Sequence, residues 1–552
     1  MKTNKMNIKM YLFGIVICIV GFIPQANSQT KDTTIESRIF DVEKTFKPIL
    51  SDAIKIPVNP NPEKPELKRP EFKYEVEAVK PVAVEPNIYT IKPLSLGTSL
   101  LPKLKNNYTR FGFGNYATPL FEFYINSVRN KKFQTGFFVK HLSSNGDENF
   151  NNFSNNTLYG YVKTFKAKQV YSLDAYYYRN RIQLYATPTS ISDAENIGKV
   201  IYETMDIKGR ASSAKKDSSG FAHQTELGYY RYQNNRSQNE NDFVLKSILT
   251  KTFEEIPFEL DAGFRINQYN NGNLTYNRRF LHLNPEIKIE EKEFYLRGGF
   301  NTMFIADSSK SSGHFFPKAE GGFAIIPSKM TVYAGINGNV QVNTLRSITS
   351  ENIFVLNPGL DNTINKFEVY GGFKGQIGPM TGFNIQTSSS KIENNLFYGY
   401  DSSSFSQFTI FDEGKGSLTR LLVSVNHGFG EKFRINAAAI LNNYTLSKIS
   451  KASGRPELEV KTNLTYNMGD KFLFKLDLFY WGDRNVLVKG DNILTEDKIK
   501  AFTDVNFGLE YRYKKHLSAF INFNNLTGNT YQRWYKYPVY GFNLLGGFNF
   551  TF

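Results

Sequence analysis

From residue 108 to the C-terminus the chain is written in steps of two. In "FLFKLDLFYW", Phe472, Phe474, Leu476, Leu478 and Tyr480 fall on one face of an extended chain, and Lys475 and Asp477 on the other. "TDVNFGLEYRY" sets Val505, Phe507, Leu509, Tyr511 and Tyr513 against Asp504, Asn506, Glu510 and Arg512. "LEVKTNLTYNM" sets Leu458, Val460, Leu464, Tyr466 and Met468 against Glu459, Lys461, Asn463 and Asn467. "KFEVYGGFKGQ" sets Phe367, Val369 and Phe373 against Glu368, Lys374 and Gln376. Successive side chains of a strand point to opposite faces, so a period of two sorts each set onto one side of a sheet. Clusters of Gly, Asn, Asp, Ser and Lys separate these runs and read as turns.

Soluble sandwiches and membrane barrels both alternate, and the side that is apolar decides between them. A soluble barrel fills its interior with large aliphatic side chains and shows water its polar face. Here the apolar faces are aromatic on strand after strand, with no helical pattern to cover them, and the opposite faces carry charges. The chain holds 48 Phe and 33 Tyr but only 2 Trp, with a mean hydropathy of −0.40. A polar average with so many dispersed aromatics fits a barrel that is apolar outside, polar inside and girdled by rings. Lipid also demands closure, because an open edge would leave backbone groups unpaired in hydrocarbon. The sequence therefore predicts an all-β fold, a large closed antiparallel transmembrane β-barrel over residues 106–552. At about 20 residues per strand with its connection, that stretch has room for about 18 to 22 strands. Residues 345–365 and 381–415 fit the period poorly. "YYYRNR" at 176–181 reads as rim material, where rings meet headgroups.

The N-terminus reads as an export signal over residues 1–28. Lys2, Lys5 and Lys9 precede the apolar run "MYLFGIVICIVGFI", and Ala26 and Ser28 stand before a mature start at Gln29. The single cysteine, Cys18, lies inside that run, so disulfides and thiolate metal sites are excluded from the mature chain. The formal charge is +16, but the basic residues are scattered among carboxylates, and no nucleic-acid partner is expected. Residues 29–105 hold ten of the 21 prolines. Proline at this density favours extended chain, either inside the barrel or in the periplasm. Within it "EFKYEVEA" alternates Phe72, Tyr74 and Val76 with charges, a candidate docking strand for a periplasmic protein partner.

The closing run "FINFNNLTGNTYQRWYKYPVYGFNLLGGFNFTF" resembles the last strands of TonB-dependent receptors. The early runs "FKPILSDAIKIP" and "YTRFGFGNYATPLFEFY" resemble receptor-like outer-membrane proteins of the Bacteroidota type. The resemblance implies a barrel in the cell outer membrane, lodged in lipid. It also implies that the terminal aromatics Phe548, Phe550 and Phe552 are the signal read by the barrel insertion machinery. The chain departs from a full receptor in having only a proline-rich segment where a folded plug domain would precede the barrel. No energy-coupling box stands out, with "RIFDVEKTF" the nearest.

Catalytic chemistry is not expected. "SVNHGFG" brings Ser424, Asn426 and His427 close in sequence, but on a strand His427 points away from the other two, which opposes a triad. No metal or cofactor constellation is present. The candidate functional groups are the charges predicted to face the lumen: Lys374, Lys461, Lys475 and Arg512 with Glu368, Glu459, Asp477 and Glu510. Two readings follow. One is a receptor- or porin-like barrel for an unknown solute. The other is a membrane anchor whose N-terminal segment recruits the periplasmic partner. A barrel hydrolase is a distant third.

Overall fold

The structure, a computed structural model, describes residues 29–30 and 107–552, apart from 129, 147–150, 187–197, 218–219, 308–309, 357, 403–406, 413, 431 and 491–492. The proposed signal and the proline-rich segment with Phe72, Tyr74 and Val76 lie outside the described residues. Twenty-two antiparallel strands close into a barrel, the upper end of the expected range. A further member of the sheet is the two-residue stretch Gln29–Thr30, set parallel beside Tyr444.

Each wall strand pairs with the wall strands before and after it along the chain, and the ring closes where Tyr108–Gly114 meets Asn543–Thr551. Tyr108 faces Thr551 and Phe111 faces Phe548 across this seam. Gly112 lies opposite Gly547, where a Cβ would stand 1.9 Å from the Phe111 carbonyl oxygen. Glycine permits that approach and no other residue does. On the inner side Leu120, Phe520 and Leu545 pack together, and the Arg110 guanidinium lies 3.7 Å from the Phe520 ring centroid.

At one end the connections are tight. Glu254 and Glu255 form a two-residue hairpin turn, both at positive φ, and Gly430 and Gly469 supply positive φ in others. At the other end the connections lengthen, notably 342–362, 394–414, 482–501 and 525–542. Short turns face the periplasm and long loops the exterior in barrels of this kind. The outward face carries Phe137, Leu173, Met205, Leu227, Phe304, Phe315, Phe373 and Phe548, all well exposed. Hydrocarbon satisfies such a surface, while water would charge about 25 cal/mol for each Å² of it. A closed wall with this belt is an outer-membrane structure.

The long loops fold inward instead of waving in solvent. The poorly periodic stretch at 345–365 contains one short helix, α1 (Leu345–Glu351). Its N-terminus is a capping box: the Thr344 hydroxyl accepts from the Ser347 N–H, and the Ser347 hydroxyl from the Thr344 N–H. The other such stretch, 381–415, splits into a wall strand, Thr381–Glu393, and two inner strands, Leu396–Asp401 and Gln407–Asp412. These inner strands join Arg484–Lys489 and Leu494–Ile499 from another loop in a separate four-stranded sheet. Leu345, Ile348, Val355, Tyr398, Phe408, Val486, Trp534 and Tyr537 share one buried core there.

Candidate functional site

Beneath these loops lies a chamber of about 540 Å³. Tyr176, Tyr178, Tyr202 and Tyr232 supply its wall side, and Arg346, Glu351, Arg533 and Tyr537 its loop side. Period-two placement explains the wall: Tyr176, Tyr178 and Asn180 all point in, while Tyr177 and Arg179 point out and engage Glu203. The expectation that residues 176–181 form a headgroup rim is therefore corrected. Half of that run lines the inside, because three consecutive tyrosines on a strand cannot share a face.

The loop at 342–362 is clamped to the wall by bonds across the lumen. The Glu240 carboxylate accepts from the Leu345 N–H at the start of α1 (2.6 Å) and from the Tyr230 hydroxyl (2.5 Å). Arg346 pairs with Asp206 at 2.8 Å, and its guanidinium lies over the Tyr230 ring. Tyr232 and Thr349 share a hydroxyl hydrogen bond of 2.6 Å, and Tyr202 donates to the Ile353 carbonyl at 3.0 Å. The Arg278 guanidinium donates to the Leu360 carbonyl at 2.8 Å. Charge-assisted bonds of this type are the strong ones.

The end of α1 carries a half-buried carboxylate of the site, Glu351. Glu351 is ion-paired with Arg455 and accepts from the Tyr398 hydroxyl at 2.6 Å. Burial pushes the Glu351 carboxyl up, and the Tyr398 hydrogen bond and the charge of Arg533 oppose that shift. Burial pushes the Arg484 guanidinium down to about 10, still cationic at neutral pH, and the nearby Arg533 adds to the shift. Arg484 is held by the carbonyls of Gln532 (2.6 Å) and Arg533. Glu459, buried close by, feels Lys461, Arg455, Arg420 and Arg484 as its charge neighbours. The charged groups that line the chamber are Arg346, Arg533 and Glu351, two cations to one carboxylate.

Of the charges expected in the lumen, Glu459 and Lys461 belong to this neighbourhood, and Glu368 reaches it through Arg420. Lys374 lies near the tight-turn end of the wall, donating to the Tyr295 hydroxyl at 2.8 Å, with Glu320 at 4.0 Å and the Tyr333 ring beside it. Glu368 accepts from Asn365 at 3.4 Å. Asp477 accepts from Asn463 at 2.5 Å, and Arg512 lies 3.8 Å from Glu510. Lys475, exposed, sits opposite Thr465 and Gly508. These residues alternate with outward apolar ones but are spread along the wall and form no single cluster. Phe548, Phe550 and Phe552 are exposed on the outer face, and the last two rings stack at 5.7 Å. Ser424 and His427 lie on opposite faces, and His427 bonds Thr381 at 2.7 Å.

Period reading missed Arg346, Glu351, Arg455 and Arg533, all of which belong to loops. For Arg346 and Glu351 the only signal was negative, the failure of the period at 345–365; for Arg455 and Arg533 there was none.

The fold is a closed 22-strand barrel of the outer membrane, with the chamber set at its long-loop end. Solved structures with this fold include the Pseudomonas aeruginosa ferripyoverdine receptor bound to ferripyoverdine, with a TM-score of 0.63 and 11% identity over 81% of this chain and 72% of that one. The ferric-catecholate import receptor Fiu of Escherichia coli K12 gives 0.61 and 12%, over 82% of each chain. The FrpB iron transporter of Neisseria meningitidis gives 0.64 and 10%, again over 82% of each chain. No family model and no curated protein matches the chain.

Proposed function

We propose that this protein is an outer-membrane receptor that captures a small anionic solute in the chamber beneath its loops and delivers it to the charged lumen. The cationic, tyrosine-rich lining supports this reading. Arginine and tyrosine together suit a ligand with negative charge and flat rings. The likeness to receptors for ferripyoverdine and ferric catecholates makes a metal-chelate anion the leading class. Lys374, Lys461, Lys475 and Arg512, set among Glu368, Glu459, Asp477 and Glu510, are then relay charges along the exit path. The runs at 46–57 and 108–124 support a place among Bacteroidota receptor-like barrels, and the outward Phe548, Phe550 and Phe552 a role in insertion.

Trp534 lines the chamber and provides the readout. A ferric tris-catecholate should quench its fluorescence saturably, and a neutral sugar of similar size should not. The double variant Arg346→Gln/Arg533→Gln should weaken binding about tenfold or more, since a hydrogen bond to a charged group is worth about 1.5–3 kcal/mol. Equal response to sugar and chelate, or no effect of the arginine variants, would sink the reading.

A further inference from the structure

A groove of about 480 Å³ lies on the outer face of the wall, where Thr275–Glu290, Phe294–Ala306 and Ser311–Ile326 run side by side. Its flanks are Phe264, Leu281 and Phe304, and its small members are Ala306 and Gly313. Register explains the notch. Leu281 faces Phe264 on one side and Phe304 on the other, and Phe304 faces Gly313, so a row of large side chains ends at a missing one. One pleat nearer the loops, the row reads Ile266, Arg279, Ala306 and Ser311.

Arg279 is exposed, and among the described residues it has neither ion pair nor side-chain hydrogen bond. Other outward polar groups of this rim satisfy one another: Tyr229 donates to Asn241 at 3.1 Å, Asn241 to Gln268 at 3.4 Å and Gln268 to Asn277 at 3.2 Å. Below Arg279 the surface is apolar, and above it amide-lined. It therefore stands where hydrocarbon gives way to headgroups on the exterior side. A cation at that depth attracts an anion, and the groove beneath it is lined by the apolar Phe264, Leu281 and Phe304.

We infer that this groove is a lipid site: one acyl chain of an anionic outer-leaflet lipid lies along Phe264, Leu281, Phe304 and Gly313, and its phosphate is held by Arg279. The chamber under the loops plays no part in it.

The test uses the full chain purified in detergent, with dioleoyl phosphatidylglycerol and dioleoyl phosphatidylcholine as probes and lipid retention read by native mass spectrometry. The wild type should retain phosphatidylglycerol several-fold over phosphatidylcholine. Arg279→Gln should abolish that preference and Arg279→Lys keep most of it. Gly313→Leu should lower retention of both lipids by filling the groove. A Cβ at Gly313 would meet Phe304 at an ordinary 3.4 Å, so the backbone there admits a side chain. Excess inorganic phosphate should leave the lipid bound. The inference is overturned if the wild type shows no headgroup preference, if Arg279→Gln retains it, if Gly313→Leu retains both lipids fully, or if phosphate displaces the lipid.

Discussion

The wall and the mouth of this barrel are held by different physics. In the wall, each strand satisfies its backbone with the two strands beside it and gives its apolar side chains to lipid. No buried protein core is needed, and closure at Gly112 and Gly547 is the one non-local condition. In the mouth, Leu345, Tyr398, Val486 and Trp534 come from distant loops and make a core like that of a soluble domain, with Glu351 and Arg455 paired beside it. The candidate site lies where the repetitive architecture stops, because only there can residues from several loops converge on one volume.

This contrast can be broken from either side. The largest effect is expected at the seam. Gly547→Val puts a side chain against the Phe111 carbonyl and Gly112, both backbone, so neither can yield cheaply. The folded, heat-modifiable form on gels should disappear. Excising residues 346–356 should do the opposite: the all-β circular dichroism stays, while small-solute flux into liposomes rises several-fold as the mouth loses its core. If this deletion also prevents folding, wall and mouth are one cooperative unit and the contrast fails.

Glu351→Ala is a finer cut. It takes the charged partner away from Arg455 and Tyr398 in a half-buried place, at about 1.5–3 kcal/mol for a lost charged hydrogen bond. Hydrogen exchange should accelerate in residues 345–356 and remain slow in the wall strands. The smallest effect belongs to the periplasmic turns. Glu255 sits at φ 93 in the two-residue turn. Glu255→Gly should stabilise the barrel by about 1 kcal/mol in denaturant titration without changing solute binding.

How much of this was legible follows from the kind of order involved. Strand faces were readable one segment at a time: Phe373 out and Lys374 in needs only the alternation of side chains. The terminal run "GFNLLGGFNFTF" also showed its outward aromatics. The run at 176–181 shows the limit. Its composition suggested an aromatic rim, yet Tyr176 and Tyr178 point into the chamber, and nothing local tells the lumen side of one strand what lies across from it. Tyr232 meets Thr349, and Glu240 meets Leu345, over more than a hundred residues of chain.

The sequence by itself determined the closed barrel, its membrane, its approximate strand number and the alternation of faces along the regular wall strands, because a period of two and the demands of hydrocarbon act locally. Only the tertiary structure decided that loops from opposite parts of the ring fold into a common core, that Arg346, Glu351, Arg455 and Arg533 gather at its edge, and that Gly313 leaves a groove beneath Arg279. Those arrangements depend on strand register and on contacts between segments far apart in the chain, and the alternation within a single strand carries no information about either.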